Sequence, residues 1–306
     1  LDIEVSTICH KGCKFCYKGN TDEGKNMSLD TFKVVFSKLP QVLTQIAFGI
    51  GSIDANPDLF PIMQHCRDNG VVPNITINGD RLTDDFVQKL VKTCGAVAVS
   101  HYSDRTCFSA IERLAGAGLK QVNIHQLLSA ETYKDCFRLI DAAASDPRLV
   151  GNLKAIVFLM LKNKGPRNTL HPLRSVDQYK KLLDYAIEKN VAIGMDSCSA
   201  PVALKSLPDS AVESIEACES GLFSFYVNVD GHAFPCSFTE GTPGWEVGID
   251  LTTINSFNKE VWFSDRVKVW RTNLLGSSSG CKSCSKKVHC RSCPVYPKVT
   301  LCKEIP

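Results

Sequence analysis

From Leu1 to about Met195, short β-branched runs alternate with longer amphipathic stretches, and this rhythm restricts the fold more than any other feature. Strand-like runs fall at Leu1–Ser6, Gln45–Phe48, Val72–Ile77, Ala96–Ser100, Gln121–Leu128, Leu153–Leu161 and Val191–Met195. Between them, apolar residues recur at three- and four-residue steps over Ser28–Lys38, Asp58–Asn69, Thr83–Thr93, Cys107–Ala115, Thr132–Ala144 and Val176–Asn190, the spacing of helices with one buried face. Ser28 and Thr83 are small hydroxyls positioned to accept a bond from a free backbone N–H, so both are read as N-caps. Strands separated by helices become parallel neighbours with the helices packed outside. Six such units are too few for a closed eight-unit barrel. The expected architecture is α/β, a partial (β/α)6 barrel with its chemistry in the loops at the carboxyl ends of the strands.

After about Ser197 the pattern changes. Asp230-Gly231 between Phe225–Val229 and Ala233–Phe234 is a hairpin signal, and Ser277–Gly280 reads as a linker. Two domains are expected, a core over residues 1–196 and a small cysteine-rich domain with a β-hairpin over 197–306. With 44% hydrophobic residues the chain can bury one large core or a core plus a smaller one. Lys and Arg (35) nearly balance Asp and Glu (32), so the basic footprint of a nucleic-acid binder is missing and such a partner is not expected. Apolar runs such as Ala155 to Leu161 fall far short of the ~20 residues of a membrane helix, so no membrane partner is expected either. The chain opens at Leu1 within a strand-like run and without methionine, which is compatible with further residues upstream. Fifteen cysteines would suggest disulfides in a small secreted chain. In a chain this long, with Cys-x2-Cys spacings and no signal-like opening, they point to metal ligation in a reducing, cytoplasmic compartment.

Cys9, Cys13 and Cys16 form a Cys-x3-Cys-x2-Cys loop after the first strand, with Gly12 for a tight turn and Phe15 and Tyr17 flanking the last cysteine. Three thiolates on a four-iron cluster leave one iron open to a cofactor, whereas a structural zinc ion asks for four tetrahedral ligands. The stretch Cys9-His-Lys-Gly-Cys13-Lys-Phe-Cys16-Tyr17 resembles the signature of the radical S-adenosylmethionine superfamily. That resemblance implies an open iron that binds the amino and carboxylate groups of S-adenosylmethionine, and reductive cleavage to a 5′-deoxyadenosyl radical that abstracts a substrate hydrogen. It also implies an external electron donor such as flavodoxin or ferredoxin. Gly49-Ile-Gly51-Ser52, followed by Asn56-Pro-Asp-Leu59, resembles the family's Gly-Gly-Glu-Pro turn, with Ser52 in place of the acid. Asn78 after the third strand and Ser100 at the end of the fourth match places where the family puts polar cofactor contacts.

In the second half, Cys218-x12-Gly231-x4-Cys236 is followed by Cys281-x2-Cys284-x5-Cys290-x2-Cys293 and Cys302. This series resembles the SPASM extension of the same superfamily, with the last short spacing two residues where the family more often has three. The resemblance implies two auxiliary four-iron four-sulfur clusters, making three in all. Cys281, Cys284, Cys290 and Cys302 would hold the outer one, and Cys218, Cys236 and Cys293 the inner one. Cys198 is either the inner cluster's fourth ligand or a catalytic thiol, and the reactivity of a free thiol beside clusters favours ligation. Cys66, Cys94, Cys107 and Cys136 lie on or beside predicted helices and are read as core residues.

The resemblance implies an oxidoreductase-type enzyme acting on a peptide or protein, by oxidative crosslinking, thioether formation or residue oxidation. Alternatives are a small-molecule radical dehydrogenase and a non-enzymatic iron–sulfur electron carrier. An oxidation of this kind needs a proton acceptor, for which Asp196, Tyr102, His101 and His125 are candidates at strand ends. Lys162–Arg174, containing Lys164 and Arg167, is read as a solvated loop or as a contact for an acidic peptide.

Overall fold

The structure is a computed structural model that describes residues 1–277, 281, 284–297 and 301. Strand β1 (Asp2–Glu4) is followed by α1 (Leu29–Lys38), β2 (Gln45–Gly49), α2 (Leu59–Asp68), β3 (Val72–Ile77), α3 (Asp84–Thr93), β4 (Val97–Ser100), α4 (Asp104–Gly116), β5 (Val122–Leu128), α5 (Tyr133–Ser145), β6 (Ala155–Met160), α6 (Val176–Glu188) and β7 (Ile193–Met195). All seven strands pair in parallel with their sequence neighbours. The chain then passes through a 3-10 turn at Ser197–Ser199 into α7 (Ala200–Ser206), the hairpin strands β8 (Tyr226–Val227) and β9 (His232–Phe234), β10 (Ile249–Asp250) and α8 (Asp265–Gly276). One sheet of ten strands runs β10-β9-β8-β1-β2-β3-β4-β5-β6-β7. Its second-half hairpin enters through β8, which lies parallel to β1.

Residue alternation explains why this sheet has one helix-covered face and one open face. Along β3, β5 and β6 every second residue is buried and those between are half-exposed. The buried set, including Ile75, Ile77, Val122, Ile124, Ile156 and Phe158, packs in the core with helix residues such as Leu59, Ile111 and Leu139. A parallel sheet buried on both faces would show continuous apolar strands instead. The other set, with Glu4, Gly49 and Thr76 in register across β1, β2 and β3, faces the inside of the partial barrel.

Helix starts follow local chemistry. Ser28 Oγ accepts from Thr31 N at 3.1 Å and Thr83 Oγ1 from Phe86 N at 3.2 Å, as their positions predict. Helix α4 begins at Asp104, three residues before the apolar pattern, because Ser103 Oγ accepts from Thr106 N at 3.4 Å and caps a polar first turn.

Asn56, only 4% exposed, braces the start of the sheet. Its Nδ2 donates to Val5 O at 2.7 Å and Met27 O at 2.9 Å, and its Oδ1 accepts from Asp58 N at 2.9 Å. Both carbonyls lie outside the β1–β2 ladder, so this side chain joins strand exit, α1 entry and α2 entry. Replacement by leucine removes all three bonds, although Val5 O keeps Met27 N at 3.0 Å, and Asn56→Leu is expected to lower stability by about 1–3 kcal/mol, read as a reduced urea midpoint.

Candidate functional site

The carboxyl ends of β1 to β6, with loops from the second half, enclose a cavity of about 750 Å³. The loop of Cys9, Cys13 and Cys16 leaves β1 and is fastened from two sides. Cys9 N donates to Thr21 O at 2.8 Å, and Ser52 N donates to Ile8 O at 3.1 Å. Gly51 passes so close to this loop that a Cβ there would lie 2.2 Å from Ile8 O, so no other residue fits. From the far side Gly165 has a φ of +106°, and its Cβ would meet Cys16 O at 2.3 Å.

Of the residues expected to meet a cofactor, Phe15, Tyr17, Gly49, Gly51, Asn78 and Ser100 line the cavity. Ser52 stands behind its wall, buried, with its Oγ accepting from His10 N at 3.2 Å. The serine that replaces an acid in this turn therefore holds the cysteine loop. Asn78 Nδ2 donates to Gly51 O at 2.9 Å, which fixes the turn after β2 from β3. Tyr17 stacks on Phe238 with centroids 4.5 Å apart, and Phe15 stacks on Tyr102 at 5.9 Å.

The cavity brings together thiols from both halves of the chain. Cys9, Cys13 and Cys16 line it, as do Cys198, Cys218, Cys236 and Cys293, and none of these is in a disulfide. Cys281, Cys284 and Cys290 lie away from it, and Cys302 falls outside the described residues. Burial raises the pKa of Cys198 well above the ordinary thiol value, pushes Cys236 up to about 12 and raises Cys293, and repulsion among these thiols adds to each shift. Thiols so placed ionise when a metal supplies the compensating charge. Among the described residues no three His, Cys, Asp or Glu side chains converge on a point that would hold a single metal ion. The thiols border a volume instead, and several thiols around a volume fit the thiolate ligation of an iron–sulfur cluster. Cys66, Cys94, Cys107 and Cys136 are buried in the helix-side core, and burial pushes each up to about 12, which leaves them protonated and unreactive.

The candidate proton acceptors differ in how far they are engaged. Asp196 Oδ2 pairs with Lys162 Nζ at 2.5 Å, and its Oδ1 accepts from the Ser199 hydroxyl. His101 uses both ring nitrogens, on Gln126 Oε1 at 2.7 Å and Asp104 Oδ1 at 2.8 Å. Tyr102 carries Lys11 Nζ 4.8 Å above its ring. His125 lines the cavity, and its ring has no hydrogen-bond partner among the described residues, while its carbonyl accepts from His101 N at 2.9 Å. Burial lowers its pKa to about 4 against the opposing pull of Asp196.

The Lys162–Arg174 loop is only partly the solvated segment its charges suggest, because Arg174 is exposed while three of its cations turn inward. Lys162 is 5% exposed, Lys164 Nζ donates to the carbonyls of Ser237, Phe238 and Glu240, and Arg167 Nη2 donates to Asn20 O at 2.8 Å. Buried charges left without partners are expensive, and these three find theirs in the cysteine loop, the second half and Asp196.

A further network escaped the sequence pattern. Lys18 Nζ contacts Glu240, lies 3.1 Å from Glu4 Oε2 and donates to the Tyr226 hydroxyl at 2.7 Å. Tyr226 in turn donates to Glu4 Oε2 at 2.8 Å, and Asn228 Nδ2 to Glu240 Oε1 at 2.8 Å. The side chains of Lys18 and Glu4 are 11% and 8% exposed. The available signal was a glutamate between Ile3 and Val5 in the first strand-like run.

Two outcomes follow from these charges. Lys18→Met leaves the Glu4 and Glu240 carboxylates without their shared cation, and the expected loss is about 3–5 kcal/mol in chemical denaturation, partly restored by adding Glu4→Gln. His125 is neutral in the folded state down to about pH 4 but ionises near its ordinary value of 6.5 when unfolded. The unfolded chain then binds the extra proton, so its contribution to stability is full above pH 6.5 and falls as pH drops to about 4, by up to ~1.4 kcal/mol per pH unit. The stability difference between the wild-type chain and His125→Gln measured across that window checks it.

No protein-family model and no curated protein matches the sequence. Solved structures do. SuiB of Streptococcus suis bound to S-adenosylmethionine superimposes with a TM-score of 0.74 at 14% identity, over 96% of this chain and 72% of that one. SuiB bound to the precursor peptide SuiA gives 0.76 at 14% identity, over 99% and 75%. Native anSMEcpe with bound AdoMet gives 0.61 at 16% identity, over 88% and 82%. The alternating parallel units, the thiol-lined mouth and these superpositions agree: the chain has the partial α/β barrel fold of the radical S-adenosylmethionine type.

Proposed function

We propose that this chain is a radical S-adenosylmethionine enzyme of the SPASM kind that oxidatively modifies a peptide. The observation that carries this reading is the meeting of two separate thiol sets at one cavity. Residues 1–196 form the radical-generating core in this reading and 197–306 the auxiliary-cluster domain, joined through the shared β1–β8 pairing. Cys9, Cys13 and Cys16 hold the first four-iron cluster. Cys198, Cys218, Cys236 and Cys293 hold the inner auxiliary cluster, and Cys281, Cys284 and Cys290 with Cys302 the outer one. Support for a peptide substrate comes from the neighbours, since one SuiB structure holds the precursor peptide SuiA and one anSMEcpe structure holds the Cp18Cys peptide.

When bound, the first cluster with S-adenosylmethionine supplies a 5′-deoxyadenosyl radical that abstracts a substrate hydrogen. The chain's own residues bind, orient and shield. Gly49 and Gly51 present backbone at the mouth of β2, Asn78 fixes that turn, Ser100 offers a polar group from β4, and the Phe15 and Tyr17 rings wall the site. Asp196, His101 and Tyr102 are engaged elsewhere, so the substrate proton passes to His125, neutral and unpaired.

Anaerobic reconstitution should give about twelve irons per chain. With reductant and S-adenosylmethionine it should release 5′-deoxyadenosine, and Cys13→Ala should abolish that release. A peptide encoded beside the gene should lose two hydrogens by mass spectrometry. About four irons per chain would remove the auxiliary clusters, and no 5′-deoxyadenosine would leave only an electron carrier.

A further inference from the structure

Lys162 lies two residues past the end of β6 and lines the cavity. Its side chain is 3% exposed. The ammonium meets Asp196 Oδ2 at 2.5 Å, Met160 O at 3.1 Å, the Cys198 side chain, and the Phe238 ring with its centroid 4.6 Å away. The other cations of the cavity wall are occupied differently. Lys11 pairs with Asp80, Lys18 sits among Glu4, Glu240 and Tyr226, and Arg167 donates to Asn20. Lys162 alone stands within electrostatic reach of both Cys198 and Cys293.

Burying an ion pair here adds little stability, because desolvating two charges offsets most of their attraction. Electrostatics at the neighbouring sulfurs gives the pair a different consequence. Net charge and hydrogen bonding around thiolates set the reduction potential of an iron–sulfur centre, and an adjacent cation favours its more negative, reduced level. Asp196, two residues before Cys198, anchors the ammonium, and the Phe238 ring, two residues after Cys236, covers it.

We infer that Lys162, anchored by Asp196, is a positioning residue that raises the reduction potential of the centre held by Cys198, Cys218, Cys236 and Cys293, so that this centre accepts an electron from the substrate radical. In balance, the substrate radical loses one electron to the centre and one proton to a base of the cavity. The inference rests on the reading of those four cysteines as cluster ligands.

The test uses the full chain with Cys9→Ala, Cys13→Ala and Cys16→Ala, reconstituted so that only the second-half clusters remain, and followed by EPR during a redox titration. Adding Lys162→Met should lower the ratio of reduced to oxidised inner centre about tenfold at fixed potential, a shift of ~59 mV to the negative side for one electron. Lys162→Arg should keep the parent value, and Asp196→Asn should shift it the opposite way. If Lys162→Met alone does not fold, Lys162→Gln, which keeps a donor for Asp196 without the charge, should likewise titrate below the parent. Unmoved potentials at full iron loading overturn the role of Lys162 and leave the cluster reading intact. Loss of the cluster from both lysine variants makes Lys162 structural and also overturns it. A parent holding about four irons rather than about eight defeats the cluster reading itself.

Discussion

A single buried ammonium, that of Lys18, organises the mouth of the barrel. Strand β1 turns Glu4 toward the interior, and a carboxylate 8% exposed needs a partner. Lys18 supplies it from two residues beyond Cys16, so the thiol-bearing loop must fold back over the end of its own strand. One cation against Glu4 and Glu240 still leaves lone pairs, and the Tyr226 hydroxyl and the Asn228 amide complete the set. The segment from Tyr226 to Glu240 is thereby held at the mouth, and Cys236 with it. Ion networks of this sort are weak sources of stability but strong sources of uniqueness when each member has one arrangement that satisfies it. The meeting of the two thiol sets follows from that arrangement.

What the sequence reveals and what it hides separate along a physical line. Features with a local signature were legible: β3 spans Val72–Ile77 as its β-branched run indicates, α1 and α3 start behind their hydroxyl caps, and the Asp230-Gly231 turn joins β8 to β9. The start of α4 was missed because its first turn is polar and only Ser103 marks it. At the site, the Cys9, Cys13 and Cys16 spacing was legible because these three thiols lie within eight residues and line one cavity. Lys18 with Glu240 and Lys162 with Asp196 were not, because charge complementarity between distant segments leaves no periodic trace. The lysines after β6 look like a wet loop until the segment opposite them is known. Ser52 shows the same limit in a motif, since its place in a cofactor turn suggested a cofactor contact, while its hydroxyl serves His10 N.

The two populations of cysteine carry a related lesson. Burial raises the pKa of Cys66, Cys94, Cys107 and Cys136 about as far as that of Cys236. Acidity therefore does not distinguish a packing cysteine from a candidate ligand. Company does: the first four are packed singly among apolar side chains, whereas Cys236 shares its cavity with Cys198, Cys218 and Cys293.

The parallel pairing of β8 with β1 also governs the order in which the chain can fold during synthesis. The edge of β1 opposite β2 has no partner until the residues of β8 leave the ribosome, over 200 positions later. At translation rates of about 5–20 residues per second that is a delay of roughly 10–45 s. Throughout it β1 presents an open edge and Glu4 lacks both Tyr226 and Glu240. The three-residue length of β1 and its charged interior residue give other chains little to pair with during that interval. Features that serve the finished mouth of the barrel thus also protect the nascent chain.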